Sequence, residues 1–267
     1  MDPLLEATRR AEQHHFWFRG FRSFVRPLVE QAVVGVADPR LLDCGCGTGA
    51  NLVMLENFGR AYGFDISWRG LEFAREYGRR RLAHASITRI PFASASFDVV
   101  TAFDVLYALT ESAESAALAE MFRVLKPGGA LIVNVAALQA LRGSHSVFGA
   151  ELRRSTRTRL RQLLAGTGFE VVRLTYTNFT LLPIMLSVRT AQRLRGLTGA
   201  TREAADLAVP VRPLNAILSG LLGLESRALR YVDMPIGSSL LCLARKPGTH
   251  ARPSATRAAS NVRETTT

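Results

Sequence analysis

The chain has 267 residues, 48% of them hydrophobic and 21% charged, so it can bury a sizeable core without disulfides or a structural metal. This composition excludes a small disulfide-stapled scaffold, a fibrous protein and a disordered chain. The net charge is +12. Residues 1–138 carry 15 acidic and 15 basic side chains, so the whole basic excess lies in residues 139–267, and nearly all of it is arginine.

Cysteine content and apolar runs indicate the compartment. Cys44, Cys46 and Cys242 fit neither a paired disulfide framework nor a four-ligand zinc site, so no metal site is expected and a reducing cytoplasm is the expected location. The first residues contain no apolar run typical of a signal peptide. The longest apolar stretch, residues 179–188, is interrupted by a proline and is shorter than the ~20 residues that a spanning helix needs. We therefore expect neither export nor a membrane-spanning segment.

The hydrophobic pattern predicts two helices and then a regular alternation of strands and helices. The leading helices cover residues 4–14 and about 19–34, and Pro27 is expected to kink or divide the second. Strands are predicted at residues 41–44, 61–64, 82–85, 97–103, 130–135, 170–174 and 239–244. Further helices are predicted after the loop at residues 45–49 to about residue 58, and over residues 68–79, 112–125 and 156–165. A turn at residues 126–129 precedes the fifth strand.

Alternation of this kind predicts an α/β fold: a Rossmann-like, doubly wound, mostly parallel seven-stranded sheet that binds ligands at the carboxyl ends of its strands. The proline-broken, apolar stretch before the last strand has no place in that alternation and is expected to be an insertion. The expected segments are a helical cap (1–36), the core (37–178), an apolar helical insertion or lid (179–235), the last strand (236–246) and a disordered tail (247–267).

The most informative segment is LLDCGCGTG at residues 41–49, a buried strand that runs into a glycine loop and opens a helix. Glycines let a ligand approach the backbone, and the helix N-terminus favours a carboxylate or phosphate. Asp65 follows Gly45 by 20 residues, at the end of the next strand, where an acid can accept hydrogen bonds from a ribose diol. A dinucleotide site would require G-x-G-x-x-G, and Asp43 suits an ammonium or sulfonium better than a phosphate.

These residues resemble the class I S-adenosylmethionine-dependent methyltransferases of the small-molecule type. The matching segments are residues 41–49, 63–67, 90–92, 96–100 and 123–129. The resemblance implies S-adenosylmethionine as cofactor, with the methionine part at Asp43, Gly45, Cys46, Gly47 and Gly49, the ribose at Asp65, the adenine face at Ile66 and the adenine edge at Ser86 and Ile87. Ser86 stands where similar enzymes usually carry Asp, so a weaker contact with the adenine amino group is expected.

The segment EQHHFWFRGFR at residues 12–22 resembles an N-terminal signature of one bacterial group of these methyltransferases. If the segment is helical, Glu12, His15, Arg19 and Arg22 share one face. The resemblance implies that Arg19 or Arg22 lies near the cofactor carboxylate. The alternative is that the three aromatic residues dock the helix on the core while the charges stay in solvent.

Candidate catalytic residues follow the fourth and fifth strands. Asp104 and Tyr107 lie where similar enzymes present groups to the methyl and the acceptor. Residues 140–156 resemble a second segment of the same group, in which His145 is a candidate general base, with a solvated loop histidine as the alternative. Ser146 and Ser155 stand where that group usually carries Asp and Tyr, so the resemblance implies no role for these two positions.

The resemblance implies transfer of a methyl group from S-adenosylmethionine to a small-molecule or lipid-like acceptor, by in-line displacement and preferably onto oxygen. The apolar, arginine-rich residues 179–230 predict either a lid over the acceptor pocket or a peripheral contact with an anionic membrane surface. An RNA acceptor is a third alternative, although no RNA-binding module is recognisable. A non-catalytic cofactor-binding scaffold or partner subunit is the alternative of a different class.

Overall fold

The structure, a computed structural model, describes residues 2–141, 152–194 and 209–248. Its strands form one seven-stranded sheet in the order β3-β2-β1-β4-β5-β7-β6. The strands are β1 (Arg40–Cys44), β2 (Arg60–Asp65), β3 (Leu82–His84), β4 (Phe97–Phe103), β5 (Leu125–Ala136), β6 (Glu170–Thr177) and β7 (Ser239–Arg245). Only β7 runs antiparallel to its neighbours. The predicted fold class is confirmed.

Helices cover both faces of this sheet. They are α1 (Asp2–Ala11), α2 (Phe16–Ala32), α3 (Ala50–Leu55), α4 (Trp68–Glu76), α5 (Glu111–Val124), α6 (Arg157–Thr167), α7 (Leu182–Leu194) and α8 (Arg212–Ala228). Helices α5 and α6 pack on one face, and α2, α3, α4 and α8 pack on the other. Successive strand residues alternate between these two cores, as Leu41 and Leu42 of β1 do, so the sheet is buried on both sides.

β5 begins earlier than the sequence indicates. Leu125 already pairs with Phe97, and after an irregularity the ladder resumes with Ala130 opposite Val99. The predicted turn at residues 126–129 is therefore an irregular stretch inside the strand, where Gly128 adopts a φ of 79°. The buried part of β5 still delivers its last residues to the carboxyl edge, where the candidate site lies.

The proline in α2 is tolerated because α8 supplies a hydrogen-bond donor. Pro27 has no N–H, which leaves the carbonyl of Ser23, four residues earlier, without its helical partner. The hydroxyl of Ser226 on α8 donates to this carbonyl over 2.7 Å. Helix α2 thus runs from Phe16 to Ala32 without the division that Pro27 predicts.

This contact gives a stability prediction. Replacing Ser226 by alanine should lower the free energy of unfolding by about 1–3 kcal/mol, because a partly buried carbonyl then loses its donor. In a Pro27→Ala background the restored backbone N–H can serve the same carbonyl, so the cost of Ser226→Ala should fall to less than half. Urea unfolding of the four variants measures this coupling. Equal costs in both backgrounds would contradict the account.

Candidate active site at the carboxyl edge

The glycine loop after β1 leaves open space at its centre. Gly45, Gly47 and Gly49 adopt φ values of 77°, 50° and 78°, a region that L side chains rarely occupy. A Cβ at Gly45 would lie 2.5 Å from a methyl carbon of Val105, so the loop is packed tightly there. A Cβ at Gly47 would meet nothing within 4 Å. The backbone at Gly47 is therefore open to a ligand from outside.

Asp65 ties this loop to the end of β2. One carboxylate oxygen accepts a hydrogen bond from the backbone N–H of Gly47, and the other accepts from the N–H of Ser67, each over 2.7 Å. A carboxylate oxygen can accept two hydrogen bonds, so both oxygens retain capacity for ligand hydroxyls. The structure places Asp65 beside the loop, as the spacing in the sequence predicts.

Asp43 is a buried carboxylate with one unsatisfied oxygen. Its Oδ1 accepts a hydrogen bond from the Thr101 hydroxyl over 2.7 Å, whereas Oδ2 has no partner among the described residues. Burial, and secondarily the negative charge of Asp65, raises the pKa of Asp43 to about 7. A cationic group placed against Oδ2 would satisfy this oxygen and stabilise the ionised form.

The expected adenine side lies beyond β2 and β3. Ile66 is largely exposed, and Ile87 is buried. The Ser86 hydroxyl lies 2.8 Å from the Thr88 hydroxyl, so part of its hydrogen-bonding capacity is already used. Next to Ile66 the structure shows two residues that the sequence reasoning missed. His84 Nε2 lies 2.9 Å from the Ile66 carbonyl oxygen, and the exposed Trp68 ring meets the His84 ring edge-on.

The N-terminal segment reaches the glycine loop through a turn. Residues 12–15 form a turn between α1 and α2 and are not helical. Glu12 and His15 therefore do not share a helical face with Arg19 and Arg22. Glu12 is buried, and its carboxylate accepts a hydrogen bond from the Thr48 hydroxyl over 2.5 Å. Burial raises the pKa of Glu12. The segment thus contacts the loop, although not through the predicted face.

The basic residues of this segment differ in position. Arg22 is half-buried and donates to the Glu12 carbonyl over 2.7 Å, and it lines a cavity of about 540 Å³ between α2 and α3. Arg19 is exposed. His15 accepts a hydrogen bond from the Trp17 N–H and caps α2, and burial lowers its pKa. His15 therefore serves as a neutral helix cap here.

Asp104 occupies a special backbone position just after β4. Its φ is 55°, and its backbone N–H donates to the Asn134 carbonyl over 3.0 Å. The Asn134 amide donates to Asp104 Oδ1 over 2.8 Å, while Asn134 Oδ1 is buried and has no partner among the described residues. Asn134, at the end of β5, is a site residue that sequence reasoning missed because its pairing with Asp104 joins two strands. Asp104 is thereby held at the carboxyl edge of the sheet, where its side chain is exposed.

Of the remaining candidate residues, the structure describes Tyr107 and Ser155. Tyr107 is half-buried in a short 3₁₀ turn, and its carbonyl accepts from the N–H of Leu152. His145 and Ser146 lie outside the described residues. Ser155 is buried at the edge next to Ala137, and its hydroxyl has no partner in the described part of the chain.

Comparisons with known proteins find methyltransferases among the proteins that this chain resembles. Residues 42–133 match the family model described as a methyltransferase domain. A demethylmenaquinone methyltransferase of Clavibacter sepedonicus is 38% identical over 117 residues, which are 40% of this chain and 45% of that protein. The chain spans about half the length of the curated relatives it matches. Residues 42–133 of this chain are therefore similar to a methyltransferase domain.

Two solved structures share the fold. The [4+2]-cyclase SpnF matches with a TM-score of 0.53 and 22% identity, over 85% of this chain and 82% of that one. An S-adenosylmethionine-dependent methyltransferase from Mesorhizobium loti matches with a TM-score of 0.51 and 16% identity, over 82% and 96% of the two chains. At such identities the likeness establishes the fold alone, and the reaction has to be argued from the site.

Proposed function

We propose that this protein is an S-adenosylmethionine-dependent methyltransferase that methylates an oxygen of a small-molecule, lipid-like acceptor. One observation carries the proposal: Asp43 and Asp65 stand at neighbouring strand ends, on either side of a glycine loop that is open at Gly47. Two carboxylates so placed can bind the ammonium of an amino acid and the hydroxyls of a ribose in one ligand.

The residues present fit this cofactor. The unsatisfied oxygen of Asp43 would accept from the methionine ammonium, and the spare lone pairs of Asp65 would accept from the ribose hydroxyls. The exposed Ile66 would cover the adenine face, with Ser86 and Ile87 at its edge. Arg22 is better placed than Arg19 to approach the carboxylate, because it lies beside Glu12, which contacts the loop.

The chemistry then depends mainly on alignment. When bound, S-adenosylmethionine supplies a methyl group whose carbon is electrophilic because it is attached to a sulfonium. The chain has to hold an acceptor atom in line with that bond and exclude water. Asp104, fixed by Asn134 at the exposed edge, can orient an acceptor hydroxyl by accepting a hydrogen bond from it. An acidic hydroxyl or carboxylate needs no stronger base, which is why oxygen is the preferred acceptor atom.

The lipid-like character of the acceptor is supported by the apolar insertion. Phe179 directly follows β6, where the chain leaves the carboxyl edge, and Ile184 lies in the first turn of α7; both side chains are exposed. The Clavibacter relative is named for demethylmenaquinone, an isoprenoid quinone. An acceptor of comparable apolarity would match the side chains next to the site.

The proposal is tested by transfer of labelled methyl from S-adenosylmethionine into a cell extract, followed by partition between organic and aqueous phases. We expect label in the organic phase with wild type and with Asp98→Ala, a control at the opposite edge of the sheet, and none above background with Asp65→Ala. A carbon-13 methyl then identifies the acceptor atom by its chemical shift. Label confined to RNA or water-soluble products would overturn the proposal of a lipid-like acceptor. Equal labelling by wild type and by Asp65→Ala would overturn the proposed methyltransferase activity.

A further inference from the structure

The geometry points to a membrane-docking surface on α8, with the surface of an anionic lipid bilayer as its occupant. This inference rests on the proposed function, since it concerns where a lipid-like acceptor is met. We call the surface the outer face of α8. It is formed by Val211, Leu214, Ile217 and Leu224, which are 70%, 46%, 62% and 59% exposed.

Leu214, Ile217 and Leu224 lie on one side of the helix because they are spaced at three and seven residues, and Val211 directly precedes the helix. The opposite face of α8 is fixed against α2. Leu222 is fully buried there, and a Cβ on Gly20 would lie 2.3 Å from one of its methyl carbons. The helix therefore cannot rotate to bury the outer face without losing this close contact.

The charge next to the outer face selects an anionic partner. Arg212, Arg227 and Arg230 are exposed, and none of them forms an ion pair with a residue that the structure describes. The acid within α8, Glu225, is turned inward and accepts from the N–H groups of Phe179 and Thr180. Apolar side chains flanked by arginines, without exposed acids on the same helix, are typical of helices that lie in a membrane interface.

The outer face begins next to the candidate site. Asn215, in the first turn of α8, accepts a hydrogen bond from the Phe16 N–H and donates to the His14 carbonyl. The same turn of the N-terminal segment holds Glu12, which contacts Thr48 in the glycine loop. A bilayer against the outer face would therefore lie beside the edge where the acceptor must enter.

Contact would be peripheral. In the described part of the chain, no helix combines the length and apolarity needed to cross a bilayer. Interfacial binding instead adds the burial of a few apolar side chains to attraction between arginines and anionic headgroups, so it depends on lipid charge and on salt.

Co-sedimentation with vesicles tests the inference, using phosphatidylcholine alone and phosphatidylcholine with about a third phosphatidylglycerol. We expect at least about tenfold tighter binding to the anionic vesicles, which weakens as salt is raised. The double variant Ile217→Glu, Leu224→Glu should lose at least about tenfold in that affinity. Arg227→Gln with Arg230→Gln should reduce the difference between the two vesicle types.

The matched control is Val34→Glu. Val34 is 79% exposed but lies between α2 and β1, at the opposite edge of the sheet, so its replacement should leave vesicle binding unchanged. Circular dichroism melts confirm that each variant is folded. Absence of wild-type binding, or equal loss with Val34→Glu, would overturn the inference.

The same variants separate this inference from the proposed function. Titration with S-adenosylhomocysteine should give the same affinity in wild type and in the outer-face variants, because none of these residues contacts the cofactor site. If wild type binds S-adenosylhomocysteine but no vesicles, docking fails and the proposed function stands. If size-exclusion chromatography with light scattering shows a dimer that Ile217→Glu dissociates, a second copy covers the outer face, and membrane docking is overturned.

Discussion

Replacing Asp65 by alanine should weaken binding of S-adenosylhomocysteine by about 100-fold or more. The carboxylate would lose its hydrogen bonds to the ribose hydroxyls, and bonds to a charged group contribute about 1.5–3 kcal/mol each. The Gly47 N–H would also lose the acceptor that holds the loop in place. Isothermal titration of the variant against wild type measures the difference.

Asp98 provides a control of matched chemistry. It also accepts from a backbone N–H, that of Arg40, over 2.9 Å, and it pairs with Lys126, but it lies at the amino edge of the sheet. Asp98→Ala should therefore lower stability without changing the affinity for S-adenosylhomocysteine by more than about twofold. Comparable losses of affinity in the two variants would mean that Asp65 acts only through folding. Absence of S-adenosylhomocysteine binding by wild type would contradict the proposed cofactor.

The fold was predictable because each strand and helix has a local signature. The bounds of β4 agree with the pattern to the residue, since an apolar run buried on both faces is distinctive. Asp65 was predictable for a related reason. In a parallel sheet the ends of consecutive paired strands lie together, so its spacing from the glycine loop fixes its place.

Contacts between distant segments were not predictable. Nothing local indicates that Ser226 replaces the donor missing at Pro27, because the partners lie on two separate helices. Asn134 carries no motif, and its role as the partner of Asp104 follows only from the pairing of β4 with β5. The spacing of charges from Glu12 onward is compatible with a helix, and nothing local indicates that Glu12 binds the Thr48 hydroxyl in the glycine loop.

The affinity for S-adenosylhomocysteine should rise steeply with pH between about 5 and 7 because of Asp43. Burial raises the pKa of this carboxyl to about 7 in the folded chain, so below pH 7 the free protein holds a proton that a bound ammonium must displace. Each pH unit in this range then changes the affinity by up to about tenfold, and the affinity levels off above pH 7. Titration in buffers of different ionisation enthalpy should show release of close to one proton at pH 6.

Stability without ligand should change with pH in the opposite direction. Between pH 4 and 7 the unfolded chain has lost the proton of Asp43 while the folded chain keeps it, so the free energy of unfolding falls as pH rises. The shift corresponds to a cost on the order of 4 kcal/mol above pH 7. Asp43→Asn cannot ionise at this position, so it should remove both the pH dependence of binding and this part of the fall in stability. If Asp43→Asn binds weakly but keeps the wild-type pH profile, another group carries the titration. Glu12, which is buried against the same loop, is the first group to test.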